Sequence, residues 1–109
     1  MSTPFAHSQT VELAELVQVT PDAIVSRTLV KNSAGTVTLF AFGQGQGLST
    51  HSAPFDALVQ VLSGQARVTI DGQDHDLTAG QAILMPADIP HSLHATHDFR
   101  MLLVMVKGR

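Results

Sequence analysis

Two histidines, His51 and His91, sit in matching surroundings. Five residues separate Gly45 from His51, and an apolar run at 57–62 leads on to Gly64. Gly80 opens a second apolar run at 82–85, followed by Pro86, Pro90 and then His91. An Asp71-Gly72 hairpin joins the two halves. Small antiparallel barrels bring such distant strands together around one interior. Imidazole is the commonest ligand of first-row metal ions and exchanges a proton near neutral pH. A histidine pair could therefore start a metal site or an acid–base site. Other chemistries lack their parts. The absence of cysteine removes thiolate nucleophiles, thiolate zinc sites and disulfides. No Ser-His-Asp or lysine-centred spacing is present. Asp71, Asp74 and Asp76 cluster on a hairpin and read as solvated turn residues. The glycines at 43, 45 and 47 precede no helix, so they read as a flexible bend and not a phosphate cradle.

The elements that must position the histidines are strands. Val11–Val19 reads as a short helical turn leading into extended chain, and Thr20-Pro21-Asp22 as a turn. Residues 23–31 and 36–42 are rich in β-branched and aromatic side chains and flank a turn at 32–35, which makes a hairpin. Further strands are expected at 55–62, 67–70, 75–77, 82–85, 91–95 and 99–106. Asp71-Gly72 is a favoured two-residue hairpin turn. Short strands between glycine turns, without long helices, make an all-β barrel or sandwich.

At 109 residues the chain holds one domain, expected at 11–109 behind a flexible segment at 1–10. An apolar fraction of 44% and a charged fraction of 14% suit a folded protein. A net charge of −3 with dispersed basic residues offers no stripe for nucleic acid. No apolar stretch approaches the roughly 20 residues of a membrane-spanning helix, and the first residues lack a signal-peptide pattern. A cytoplasmic location without membrane association is the expectation.

The motifs resemble those of the cupin superfamily. Its first motif is a glycine, five residues, His-x-His, three or four residues, Glu, six residues, Gly. Here the positions hold Gly45, His51, Ala53, Ala57 and Gly64 with every spacing kept. The second is Gly, five residues, Pro-x-Gly, two residues, His, three residues, Asn. Here they hold Gly80, Pro86, Asp88, His91 and Ala95. The resemblance implies a small single-domain β-barrel, an RmlC-like jelly roll. It also implies that His51 and His91 point inward as metal ligands, while Ala53 and Ala57 replace the other two ligands of the pattern.

On that basis His51 and His91 are the expected ligands of a divalent first-row ion (zinc, iron, nickel or copper), weakly held or absent. Gln60 and His94 are out of phase with the inner face. Asp56 beside the Ala57 position is the candidate third ligand. His7, His75 and His97 read as solvated. Phe40, Phe42, Ala53, Ala57, Val59, Met85, Met101 and Met105 are candidate lining of an apolar small-molecule pocket. Three functions follow. One is a metal-dependent enzyme of the dioxygenase or isomerase kind. The second is a metal-free module that binds or senses a small ligand, and the third an isomerase or epimerase with a histidine as acid–base. Strands 58–62 and 102–106 are apolar on both faces, which predicts a homodimer covering the outer face.

Overall fold

A computed structural model describes residues 7–107. Its architecture turns on the alternation within one long strand, β4 (Asp56–Ile70). Ala57, Val59 and Val61 are buried in its first half, and Ala66 and Val68 in its second. The buried set therefore changes from odd to even positions around Gly64. The register against the neighbouring strand slips there, and Gly64 has φ +81°. A Cβ at this position would collide with the Asp98 carbonyl oxygen. Glycine is required because it alone tolerates both the left-handed backbone and the close approach. The two strands expected at 55–62 and 67–70 are thus one strand, bent and not broken at its glycine.

That bend carries β4 from one sheet to another. Its first half pairs with β8 (Phe99–Val106) and β6 (Ala82–Met85), and its second half with β5 (Gln73–Thr78) and β7 (His91–His94). β1 (Ile24–Asn32) and β2 (Gly35–Phe42) extend the first sheet through β8, and β3 (Gly47–His51) borders β7 in the second. All these pairings are antiparallel. The two sheets curl over one interior as a cupin-type jelly roll, as expected. β3 was not expected: three glycines hide a strand whose first residue, Gly47, packs against the Leu93 carbonyl. The Asp71-Gly72 turn has positive φ at both residues, the mirror-type turn its sequence calls for. The hairpin carboxylates are cross-strand partners, Asp76 with Arg67 and Asp74 with Thr69.

One end of the interior is filled by Phe42 and Phe99, stacked with centroids 4.5 Å apart and planes 8° from parallel. Outside the first sheet, a 3₁₀ turn at Leu13–Leu16 forms as expected. With Val17 it covers Leu39, Ala41, Leu62 and Leu102. Arg100 fastens this segment by donating from Nε to the Val17 carbonyl at 2.9 Å. Of the segment expected to be flexible, residues 1–6 lie outside the described residues, and 7–10 are exposed. Among the described residues, no helix is long and apolar enough to cross a membrane.

Candidate functional site

The second sheet brings the two histidines together. His51 ends β3 and His91 begins β7, and they are cross-strand partners. Their rings lie edge to face, centroids 4.5 Å apart and planes at 70°. Each ring is held by its own strand. His51 Nδ1 is 2.8 Å from the Ser49 carbonyl, and His91 Nδ1 is 3.1 Å from the Ile89 carbonyl. A carbonyl only accepts, so Nδ1 of each ring is the donor, and a neutral ring held in this way presents the lone pair of Nε2. A carbonyl on the far nitrogen is also how metal-ligating imidazoles are oriented.

His51 is exposed, whereas His91 is buried at 6% of its accessible surface. Burial lowers the His91 pKa below its ordinary value of 6.5. The hydrogen bond to the Ile89 carbonyl opposes this, and the neighbouring His51 charge adds to it. Burial thereby favours the neutral ring, the form that can ligate a metal or accept a proton.

Behind the pair is a cavity of about 70 Å³, lined by Leu48, Ala53, Ala57, Met85, Leu93, Met101, Leu103 and Met105. Five expected lining residues are there: Ala53, Ala57, Met85, Met101 and Met105. Three are not. Phe42 and Val59 are fully buried in the core, and Phe40 packs beside Phe42. For Phe42 the reason is position along the barrel: its cross-strand partner is Phe99, at the filled end. Leu48, Leu93 and Leu103 take their places. The alternations His91–Leu93 and Met101–Leu103–Met105 already signalled two of them, whereas Leu48 lies on the unforeseen strand.

Asp56, the candidate third ligand, does not join the histidines. It is out of phase with Ala57, and its Oδ1 accepts from the Ala87 backbone N–H at 2.9 Å. Its carboxylate thus braces the loop before His91, beside a separate open groove with Phe55, Asp88 and Lys107. Asp88 has φ +66° in that loop, where the cupin pattern has glycine. His94 and Gln60 lie off the inner face, as expected. His75, expected to be solvated, is half-buried opposite Val68.

Among the described residues, no three His, Cys, Asp or Glu side chains cluster as a metal site. The pair still fits an ion as two ligands: the rings are adjacent and each Nδ1 is tied to a carbonyl, which leaves Nε2 of the neutral ring to ligate. The methyl groups of Ala53 and Ala57 offer no donor, so the four-ligand set of the cupin pattern is incomplete.

Comparison with known proteins adds the family. Protein SchB of Streptomyces halstedii is 29% identical over 87 residues, 79% of this chain, and the chain spans 63% of that protein's length. A conserved Streptococcus pyogenes protein of unknown function is 41% identical, with a TM-score of 0.93 over 100% of this chain and 97% of that one. A cupin superfamily protein from Desulfitobacterium hafniense is 25% identical, with a TM-score of 0.89 over 95% of each chain. The cupin domain model matches residues 38–107, from mid-β2 to the end of β8, and so takes in both histidines and the whole cavity. With its motif spacings kept and that model matched over most of its length, the chain belongs to the cupin domain family.

Proposed function

We propose that this cupin holds a divalent first-row metal ion weakly between His51 and His91 and binds a small organic molecule beside it. The observation that carries the reading is the pair itself: adjacent rings, each with Nδ1 tied to a carbonyl and Nε2 free. Neutral imidazole suits zinc, iron, nickel and copper and is poorly matched to calcium or magnesium. Bound there, the ion would supply Lewis acidity and open coordination positions, the basis of dioxygenase or isomerase chemistry. The chain's own residues do the rest. The Ser49 and Ile89 carbonyls orient the rings, and the apolar wall excludes water. The cavity of about 70 Å³ has room for roughly two water-sized groups at ~30 Å³ each. It therefore admits the ion with a small ligand, or the polar end of a larger molecule whose remainder lies outside, past the exposed His51.

The test is titration of chelator-treated protein with zinc, nickel and copper. His51→Ala and His91→Ala should each weaken binding at least tenfold while the barrel stays folded. Affinities unchanged by both substitutions would show that the ion is not held here. The almost wholly apolar lining favours the second reading in that event, a metal-free module that binds a small ligand with the imidazoles as hydrogen-bonding groups.

We also propose that two copies pair through the outer face of the first sheet. Val30, Val37, Val104, Leu58 and Leu84 occupy one register row across five adjacent strands. Val30, Leu58 and Leu84 are 46%, 40% and 54% exposed, beyond the part that the N-terminal segment covers. An uncharged row of this width matches a self-complementary contact. Light scattering at tens of micromolar should report a dimer, and Leu84→Lys should give a monomer. A wild-type monomer would count against the pairing.

A further inference from the structure

We infer that the cavity also takes a soft, monovalent ion, cuprous copper, and holds it more tightly than the divalent ion, with methionine sulfur as well as imidazole in the ligand set. The inference rests on the reading of His51 and His91 as metal ligands and goes beyond it in naming the other donors and the charge of the ion.

Three observations support it. All three methionines among the described residues, Met85, Met101 and Met105, line the one small cavity that also contains both histidines. They are also placed around a gap. Ala57 on β4 is the cross-strand partner of Met85 on one side and of Met105 on the other. Three inner-face neighbours thus read Met–Ala–Met. The small residue stands between two methionines of the cavity lining, at the position where the cupin pattern would put a carboxylate. The opposite wall carries the His51–His91 pair.

Charge is the third observation. No carboxylate lines the cavity, so none of its donors, imidazoles and thioethers, is an anion. The cost of moving an ion from water into apolar surroundings rises with the square of its charge, so a divalent ion costs about fourfold more than a monovalent one. A carboxylate would offset that difference, and Ala57 removes it. Thioether and imidazole donors without an anion match cuprous copper, whereas zinc prefers thiolate, imidazole and carboxylate. The low coordination that cuprous copper accepts also suits a cavity of about 70 Å³.

The experiment is an anaerobic competition between the metal-free full chain and a chromophoric cuprous chelator, run beside a zinc titration. One cuprous ion per chain is expected, bound at least a hundredfold more tightly than zinc. Met85→Leu and Met105→Leu, chosen because leucine nearly matches methionine in volume, should leave the far-ultraviolet circular dichroism unchanged. Each should weaken cuprous binding about tenfold or more and leave zinc affinity within twofold. X-ray absorption of the copper-loaded protein should show sulfur scattering that declines in the methionine variants. His91→Ala should weaken both ions. Cuprous affinity indifferent to both methionines, or a copper shell without sulfur, would overturn the inference, and zinc binding that still depended on His91 would leave the histidine reading standing. Binding of neither ion would remove both.

Discussion

At one end of the barrel Phe42 and Phe99 stack face to face with no exposed surface; at the other, the same strands leave a cavity. β8 runs through both. Its inward side chains are Phe99 and Met101, fully buried, then Leu103 and Met105, only partly so. The same two strands, β2 and β4, flank it from end to end, with one register slip against β4 between Val61 and Ser63. What changes is the volume of the facing residues: aromatic rings at one end, Ala53 and Ala57 at the other. Which strands flank a position therefore does not decide where a small barrel is hollow. A few positions do, by exchanging aromatic for methyl side chains. The filled end supplies stability, and the hollow end gives up packing for access.

The largest effect should come from breaking the filled end. Phe99→Ala removes one partner of the stack from a site with no exposed surface, and large aromatic truncations of this kind cost about 3–5 kcal/mol. Urea unfolding should show that loss. The variant that remains folded should still bind an ion at His51 and His91, because the rings are held by carbonyls of their own strands. A loss below about 1 kcal/mol would mean that the stack is not the anchor assumed here.

How far each end was legible in the sequence follows the same division. Motif spacing led to the barrel and to the meeting of His51 and His91, because strand pairing fixes both. The lining was only partly legible. Phe42 alternates correctly inward, but alternation tells which face a side chain occupies and not how far along the axis it lies. That second coordinate comes from register, here Phe42 opposite Phe99 and Ala57 between Met85 and Met105. Two glycine-rich places misled in opposite ways. Gly64 looked like a strand end and is a bend within β4, whereas Gly47 looked like loop and begins β3. Asp56 failed as a ligand for a reason invisible in spacing: its carboxylate bonds the Ala87 backbone N–H, 31 residues away.

Filling the hollow end should have a smaller and opposite effect. Ala57→Val adds two methyl groups between Met85 and Met105, at a buried strand position where β-branched residues pack well. Stability should rise by about 0.5–2 kcal/mol, as cavity-filling substitutions commonly give. Ion and ligand binding should be lost with the space. A variant that is less stable than wild type would mean that the cavity walls cannot accept the methyl groups. The contrast between the ends would then reflect strain as well as volume.

The smallest expected effect separates the two ends by pH. The filled end has no titratable group in its aromatic stack, so acid should not act on it directly. The hollow end has His91, whose pKa is lowered chiefly by burial, with His51 adding to the shift. A lowered histidine pKa means that the folded chain releases its proton more readily than the unfolded chain, whose histidine titrates near ~6.5. In the window between the folded value and ~6.5, the unfolded state binds more protons, and stability there must rise with pH. The contribution is therefore complete above ~6.5, declines as pH falls through that window, and is constant again below the folded value. Carboxylates and other histidines also titrate in acid, so the informative quantity is a difference. The urea midpoint of wild type should fall more steeply between pH 7 and 5 than that of His91→Gln, which keeps a polar side chain at the cavity mouth but carries no proton to exchange. Phe99→Leu, which disturbs only the filled end, should leave the wild-type slope unchanged. Parallel profiles for wild type and His91→Gln would show that the buried ring is as free to charge in the folded chain as in the unfolded one. The cavity would then lack the apolar character on which its contrast with the aromatic end depends.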